Sequence, residues 1–407
     1  MKSFEIPDFY RSPLIHAVKT RRKQNDKLKK DFSPTELDFG SFKVLLARHF
    51  GFCYGVENAI EIAFKTVYEN PGKRIFLLSE MIHNPQVNHD LKSHGVQFIF
   101  DTLGKPYIDW SELKANDCVI VPAFGTTLET EERLRAIGID PLQYNTTCPF
   151  VEKVWNRSQQ IGEKGYSIII HGKPKHEETR ATFSHSSAGA PSLVINDMAE
   201  AQELAVFLRK EAGKEAFYER FKGRYSEGFN PETDLERIGV VNQTTMLASD
   251  TQAIADYLKQ VLINHYNLSA ERIAERFADT RDTLCYATLD NQQAIQGMLQ
   301  SEADCALIVG GYNSSNTSHL VELCEPILPT FFIENETNLL ANGFAKHFDL
   351  HTHREIESEF LPKKTNPSYL ISAGASCPDA VVERVIRHLQ TFHPNGKSIE
   401  AVMESLL

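Results

Sequence analysis

The chain has 407 residues, in which 54 acidic residues outnumber 43 lysines and arginines, so the formal net charge is −11 at pH 7. The length allows two or three domains of about 150 residues each. An acidic chain is a poor candidate for nucleic-acid binding, and no apolar run approaches the ~18 residues that a membrane span needs. Seven cysteines are too few and too scattered for a disulfide framework. We therefore expect a protein of a reducing compartment, without nucleic-acid or membrane partners.

Residues 1–42 form a segment of different character, which we interpret as a solvent-exposed, partly helical N-terminal extension. Its run RRKQNDKLKKDF is charged and lacks apolar periodicity. A basic segment of this kind could be a transit peptide, but such peptides are poor in acidic residues. This segment contains several: Glu5, Asp8, Asp26, Asp31, Glu36 and Asp38. The composition therefore favours a cytoplasmic location over a plastid one.

From Phe42 onward, one pattern recurs along the chain. An apolar run of strand length is followed by a polar or glycine-rich turn and then by an amphipathic helical stretch, as in DCALIVGGYNSSN before TSHLVELCEP. The apolar runs are nearly continuous, which is typical of parallel strands covered on both faces. The alternation of strands and helices predicts an α/β fold. The charged segment near 205–237 interrupts the pattern, and we expect a surface insertion there.

Polar residues recur between strand and helix, at the sheet edge where open α/β folds bind ligands. Helix N-termini at that edge favour anions. No Walker A motif or dinucleotide-binding glycine motif is present. Each polar residue alone is explained by helix capping or turn formation. Together they suit a phosphate ligand held by neutral donors and two imidazoles, with Glu178 as a carboxyl that could move protons: His83, His176, Thr179, Asn242, Gln243, Thr244, Thr245, Ser314, Ser315, Asn316 and Ser376.

The seven cysteines fall into two groups by context. Three have apolar neighbours and read as packing residues: Cys118, Cys305 and Cys324. Four lie at junctions between elements, where a thiolate could face a shared cavity: Cys53, Cys148, Cys285 and Cys377. Separations of 95 and 137 residues between the first three differ from compact zinc-binding or ferredoxin patterns. Spacing alone therefore leaves a metal site undecided.

Eight short motifs, taken in order, resemble one family. They are GFCYGV, IHNPQV, TTCP, HEET, NQTT, CYAT, GGYNSSN and AGASCPD, between about Lys43 and Leu389. Each is weak alone, but the ordered set is specific to the 4-hydroxy-3-methylbut-2-enyl diphosphate reductase (IspH/LytB) family, and the chain is similar to its longer plant and cyanobacterial form. The resemblance implies the last step of the non-mevalonate (MEP) isoprenoid pathway, in which reductive dehydroxylation yields isopentenyl and dimethylallyl diphosphates.

The resemblance also implies an architecture and a cofactor. Three α/β units with parallel sheets would form a pseudo-threefold trefoil around one [4Fe–4S] cluster. Cys53, Cys148 and Cys285 would ligate three irons, leaving the fourth open for the substrate hydroxyl, and Ser376 rather than Cys377 carries the family match. The implied segments are an extension at 1–42, units at 43–147, 148–283 and 284–392, and a tail at 393–407.

The family match implies specific roles for several of the polar residues singled out above. Glu178 would donate the proton to the leaving oxygen, because a carboxyl in a closed site near a diphosphate should have a raised pKa. Thr244 would relay or orient that proton and contact the substrate. Six residues would bind the diphosphate: His83, His176, Ser314, Ser315, Asn316 and Ser376.

Two features of the resemblance concern binding. Where short bacterial members carry a diphosphate-binding histidine, this chain has Phe124, as plant-like members do, and phenylalanine cannot donate a hydrogen bond. The implied electron donor is a ferredoxin or flavodoxin. Such donors are usually acidic, so a basic patch would be needed, and the insertion supplies candidates: Lys210, Arg220, Lys222 and Arg224.

Two other functions compete with the reductase. A sugar-phosphate or nucleotide-sugar transferase could use parallel α/β domains, with all the cysteines as packing residues. A non-enzymatic, metal-dependent regulatory protein could use Cys53, Cys148 and Cys285 for a structural metal. A brown, iron-containing protein that turns over a hydroxy-allyl diphosphate would separate the reductase from both.

Overall fold

A computed structural model describes residues 4–28, 30–278 and 283–406. The chain divides into two compact units. The first, here called the terminal unit, comprises Met1–Phe64, Ile82–Asp90 and Tyr286–Leu407. The second, the central unit, comprises Lys65–Met81 and Leu91–Cys285.

The strands are short and mostly buried. Within the described residues they are β1 (Thr35–Asp38), β2 (Lys43–Leu46), β3 (Ile75–Leu77), β4 (Val96–Phe98), β5 (Cys118–Ile120), β6 (Ser167–His171), β7 (Ser192–Ile195), β8 (Ile238–Asn242), β9 (Cys305–Val309), β10 (Thr330–Ile333), β11 (Phe344–Asp349), β12 (Arg354–Glu359) and β13 (Ser368–Ala373).

Helices follow most of these strands. Over the same described ranges they are α1 (Pro13–Asn25), α2 (Tyr54–Glu69), α3 (Pro85–Ser93), α4 (Leu128–Ile137), α5 (Pro149–Gly162), α6 (Glu177–Ser187), α7 (Met198–Leu208), α8 (Lys214–Arg220), α9 (Pro231–Asp234), α10 (Ala248–Tyr266), α11 (Tyr286–Met298), α12 (Ser315–Cys324), α13 (Asp379–Phe392) and α14 (Ile399–Leu406). None of the helices in these ranges is long and apolar enough to cross a membrane.

The terminal unit is built on a five-stranded sheet with the order β1-β2-β13-β9-β10. β2, β13, β9 and β10 run parallel, and β1 pairs antiparallel with β2. In the register, Ile371 lies opposite both Leu46 and Leu307, and all three side chains are buried. Continuous apolar runs form these strands because helices and loops cover both faces of the sheet. The hairpin of β11 and β12 forms a separate two-stranded sheet.

The N-terminal residues pack into this unit, so the expectation of a solvent-exposed extension is wrong. Ser12 caps α1 by accepting a hydrogen bond from the Ile15 amide at 2.9 Å. Leu14, Ile15 and Val18 are buried in the same apolar core as the five-stranded sheet. These apolar positions recur at helical spacing, but the lysines and arginines that follow them obscure the stripe in the sequence.

The central unit contains two three-stranded parallel sheets, with the orders β4-β3-β5 and β7-β6-β8. Every residue of the middle strands β3 and β6 is buried. Together with the terminal sheet, these sheets confirm the predicted α/β class with parallel strands. β2, which opens the first predicted unit, pairs with β13 in the terminal sheet. The proposed boundaries of three α/β units stay a prediction.

The charged segment near 205–237 is more than the surface insertion expected from its composition. Phe217, Phe221 and Phe229 are buried in it, and the Phe217 and Phe229 rings stack with centroids 5.3 Å apart. These aromatic residues recur every four to eight positions among charged neighbours, which made the apolar face hard to see in the sequence. The segment therefore contributes a small aromatic core to the central unit.

Candidate active site

The predicted site residues divide between the two units. The terminal unit carries Cys53, His83, Ser314, Ser315, Asn316 and Ser376, here called the terminal set. The central unit carries Cys148, His176, Glu178, Thr244 and Cys285, here called the central set. Most lie where a parallel strand ends and a helix begins, which is the ligand-binding edge of α/β sheets.

A short backbone segment after β13 connects most of the terminal set. The Ala375 amide donates to Asn316 Oδ1 at 2.9 Å, and the Cys53 amide donates to the Ala375 carbonyl at 3.3 Å. The Ser376 hydroxyl donates to the His83 carbonyl at 3.2 Å. Residues from four separate stretches of the chain are thus held together at one edge of the terminal sheet.

The N-terminus of α12 supplies the other donors of the terminal set. Ser314 caps the helix by accepting from the Thr317 amide at 3.3 Å, and Ser315 and Asn316 form the first turn. All three are buried. The side-chain Nδ2 of Asn316 is buried and has no hydrogen-bond partner among the described residues. A buried amide without a partner, at the positive end of a helix, is a group that a bound anion would satisfy.

A glycine allows the α12 turn to approach the histidine loop. A side chain at Gly311 would place its Cβ only 2.6 Å from the His83 carbonyl oxygen. Such a contact is closer than van der Waals packing permits, so another residue here would push the two segments apart. The GGYNSSN sequence therefore provides both the donors and the space that they need.

The central set is centred on Glu178. Glu178 is only 1% exposed, and its Oε1 accepts a hydrogen bond from the Thr244 amide at 2.5 Å. His176 caps α6, and its Nδ1 accepts from the Glu178 amide at 3.2 Å. A ring nitrogen that accepts is unprotonated, so the proton of neutral His176 lies on Nε2. The array thus presents a fixed carboxyl beside an imidazole N–H donor.

Close packing at Gly172 brings the start of α6 to the end of β8. A Cβ on Gly172 would lie 2.7 Å from Thr179 Oγ1 and 2.9 Å from Gln243 Cβ. The Thr179 hydroxyl donates to Gln243 Oε1 at 2.9 Å. Two residues before Cys285, the Thr283 hydroxyl donates to Asn242 Oδ1 at 2.7 Å. These contacts fix the backbone immediately before Thr244.

The loop after β5 contacts two members of the central set. The Ala123 carbonyl accepts from the Cys148 amide at 3.0 Å. The Phe124 ring lies edge-to-face against the His176 ring, with centroids 5.5 Å apart and an angle of 83° between the planes. Phe124, expected only as a missing hydrogen-bond donor, therefore contacts a predicted diphosphate-binding residue directly. Such a contact limits the orientation of the imidazole.

The three cysteines predicted as cluster ligands share one local setting. Cys53 directly precedes α2, Cys148 is the N-cap of α5, and Cys285 directly precedes α11. None of the three forms a disulfide bond. Helix N-termini stabilise thiolates, which are the ligands of iron–sulfur clusters. The donor chemistry at these positions therefore fits such a cluster.

Other cysteines have the opposite surroundings. Burial raises the pKa of the Cys324 thiol to about 12, and it raises the pKa values of Cys305 and Cys377 further still. These three are poorer candidates for metal ligands than the cysteines at helix starts, because they lie in the apolar core of the terminal unit. In the parts of the chain that the structure describes, neither unit alone gathers three His, Cys, Asp or Glu side chains into a metal-binding group. The predicted ligands divide between the units, so the ligand set stays a prediction.

The fold and the two residue sets define an α/β enzyme with buried anion donors and thiols placed at helix starts. The family model described as "LytB protein" matches residues 44–390. The chain belongs to this family, which confirms the family predicted from the eight motifs. Membership also confirms an oxidoreductase of isoprenoid biosynthesis rather than a transferase or a regulatory protein.

Two cyanobacterial relatives named 4-hydroxy-3-methylbut-2-enyl diphosphate reductase are similar along most of their length. The protein of a Picosynechococcus species is 38% identical over 352 residues, covering 86% of this chain and 85% of its own. That of Prochlorococcus marinus is 39% identical over 354 residues, covering 87% and 86%. The solved structure of the corresponding Plasmodium falciparum diphosphate reductase is 19% identical, has a TM-score of 0.61, and covers 85% of this chain and 87% of that one. This last similarity concerns the fold.

Proposed function

We propose that the chain reduces 4-hydroxy-3-methylbut-2-enyl diphosphate to isopentenyl and dimethylallyl diphosphates. The observation that carries the proposal is the hydrogen-bonded array of Glu178, Thr244 and His176 in a chain of the LytB family. The reaction replaces the allylic C–O bond by a C–H bond, consumes two electrons and two protons, and releases water.

A [4Fe–4S] cluster would be held by Cys53, Cys148 and Cys285. When bound, it supplies single electrons and an open iron that acts as a Lewis acid toward the hydroxyl. The position of these cysteines at helix starts supports the assignment, because the helix dipole favours the thiolates that the cluster needs.

The diphosphate would be bound by neutral donors. Ser314, Ser315 and Asn316 contribute hydroxyls, an amide and the N-terminus of α12, while Ser376 and His83 approach from neighbouring loops. His176 would donate a hydrogen bond to the diphosphate from its Nε2–H group. Hydrogen bonds to a charged acceptor are about twice as strong as neutral ones, so several such donors can replace a lysine or arginine.

Glu178 would protonate the departing oxygen. Its Oε1 already accepts from the Thr244 amide, which fixes the plane of the carboxyl group. The transferable proton would be carried by this carboxyl group. The amide of Thr244 holds the Glu178 carboxyl. The side-chain hydroxyl of Thr244 would orient the substrate oxygen toward the proton of that carboxyl.

The reaction would take place in the cytoplasm. The electrons would come from a small redox protein such as ferredoxin or flavodoxin. Each donor of this kind delivers one electron, so two encounters complete one turnover.

Iron and sulfide quantification, electron paramagnetic resonance of the reduced protein, and turnover with reduced methyl viologen test the proposal. We expect about four irons per chain and a brown colour. A serine in place of any one predicted ligand, Cys53, Cys148 or Cys285, should abolish binding of the cluster. Cys118→Ser and Cys305→Ser are the matched controls and should keep it, because both thiols are core residues. An iron-free protein that turns the substrate over would refute the cluster.

A further inference from the structure

A basic cleft lies beside Cys53 in the terminal unit. It has a volume of about 330 Å³, and Cys53, Tyr54 and Tyr286 are among its lining residues. Two carboxylates line the same cleft, those of Asp26 and Asp290. They are outnumbered by four cationic side chains: Lys19, Lys23, Lys27 and Arg48. The cleft is therefore positively charged at the position where a predicted cluster ligand reaches the surface.

The charge of this region is opposite to that of the whole chain. Residues 19–31 contain seven lysines and arginines and two aspartates, whereas the chain carries a net charge of −11. Lys23 and Lys27 are both exposed. A local basic patch on an acidic protein attracts an acidic partner to one place and repels it elsewhere.

Lys19 and Lys23 lie on α1, which is held firmly in place. Lys19 Nζ lies 2.8 Å from Asp379 Oδ1 and 4.9 Å from the centroid of the Phe50 ring. Arg48, which follows β2, lies 3.6 Å from Asp26, the C-cap residue of α1. The patch is thus preorganised, and ordering it costs little when a partner binds.

Aromatic side chains accompany the cations. Tyr54 and Tyr286 are 37% and 42% exposed, and both line the cleft. Each directly follows a predicted cluster ligand in the sequence, Cys53 and Cys285. Exposed tyrosines surrounded by basic residues are typical of surfaces that bind proteins.

We propose that this surface, defined by Lys19, Lys23, Lys27, Tyr54 and Tyr286, is the docking site of an acidic protein electron donor. The inference rests on the proposed function. A redox protein docked here is steered by the exposed Lys23 and Lys27, contacts the tyrosines, and delivers its electron next to Cys53. Electron-transfer complexes use small interfaces. One electron leaves each reduced donor, so two donors are oxidised per substrate reduced.

The insertion, which the sequence suggested for this role, is less suitable. Lys210 Nζ lies 2.9 Å from Glu236, and Arg224 lies 2.5 Å from Glu200. Arg220 pairs with Glu203. Three of the four candidate cations are thus neutralised by glutamates of the same unit, whereas Lys23 and Lys27 add charge to an open cleft.

Charge reversal tests the docking site. The double variant K23E/K27E is compared with K214E/K222E, which makes the same change in charge at two exposed lysines of the insertion. With reduced acidic [2Fe–2S] ferredoxin as the donor, we expect kcat/KM of K23E/K27E to fall about tenfold or more and to lose its dependence on ionic strength. The ratio of ferredoxin-driven to viologen-driven turnover should fall for K23E/K27E and stay at the wild-type value for K214E/K222E.

Binding gives a readout that is independent of turnover. Calorimetric titration of the holoenzyme with oxidised ferredoxin should show a weaker Kd for K23E/K27E, and carbodiimide cross-linking should join Lys23 or Lys27 to ferredoxin carboxylates. The milder K23Q/K27Q pair should give a smaller loss with an unchanged Tm. Equal losses with both donors, or a loss confined to K214E/K222E, would overturn the docking site. A wild-type protein that binds ferredoxin but does not reduce the substrate with viologen would overturn the proposed function alone.

Discussion

The substitution Glu178→Gln tests the proton donor with little change of structure. Glutamine keeps a carbonyl oxygen at the position of Oε1, so the 2.5 Å hydrogen bond from the Thr244 amide can be retained. What is lost is the acidic proton of the carboxyl group. Because Glu178 is buried, bulk water does not readily replace that acid.

Loss of a general acid lowers a rate by about 10²- to 10⁴-fold. This range corresponds to about 2.7–5.4 kcal/mol of transition-state stabilisation. We expect kcat of the Glu178→Gln enzyme with reduced methyl viologen to fall within this range. KM, iron content and the paramagnetic resonance spectrum of the reduced protein should stay close to wild type, because diphosphate donors and thiols are untouched.

Glu177→Gln provides the matched control, since it removes a carboxylate from the same first turn of α6. If the kcat effect came from the charge at the helix N-terminus, both variants would lose activity equally. Near-wild-type kcat in Glu178→Gln, or equal losses in the two variants, would show that Glu178 is not the donor.

Two further predictions concern side-chain contacts of the central unit. Phe124→Ala should raise KM for the substrate about tenfold with a smaller change in kcat, because the contact that orients His176 is lost. Phe124→Tyr keeps the ring, so it should bind the substrate normally. If steady-state kinetics gave the same KM for both variants, the ring of Phe124 would not be what orients His176. Burial lowers the pKa of His185, which stacks on Trp155, below its usual 6.5. Between the lowered pKa and pH ~6.5, the unfolded chain therefore binds more protons than the folded chain does. The free energy of unfolding should decrease as the pH falls from ~6.5 toward the pKa of His185 in the folded protein. Urea denaturation at several pH values should show a shallower decrease for His185→Gln, and an identical slope would exclude His185 as its source.

The strands were predictable because burial on both faces produces an unmistakable pattern. CALIV of β9 and YLIS of β13 are continuous apolar runs, and the structure buries both strands at the centre of the terminal sheet. The polar residues after each strand followed from the same reasoning. The order of elements in a parallel sheet places them at its carboxyl edge without any knowledge of side-chain positions.

Long-range pairings were not predictable in the same way. β2 pairs with β13, more than 300 residues later, and nothing local in KVLL specifies that partner. The contact between Phe124 and His176 likewise joins two loops that are distant in sequence. The stripe of Leu14, Ile15 and Val18 was hidden because an apolar face of three residues carries little periodic signal beside a run of charges. Side-chain contacts of this kind depend on tertiary packing rather than on local pattern.

The distribution of charge separates the two kinds of anion that the chain would bind. A buried lysine or arginine beside a diphosphate is costly to desolvate, whereas hydroxyls, amides and helix N-termini are dipoles with a smaller desolvation cost. The terminal set follows this rule: Ser314, Ser315 and Asn316 are buried and neutral. Exposed cations keep most of their hydration and act at longer range, which suits the capture of a diffusing acidic protein. Lys23 and Lys27 lie on such a surface, so a chain of net charge −11 can bind a small anion inside and attract an acidic protein at one place outside.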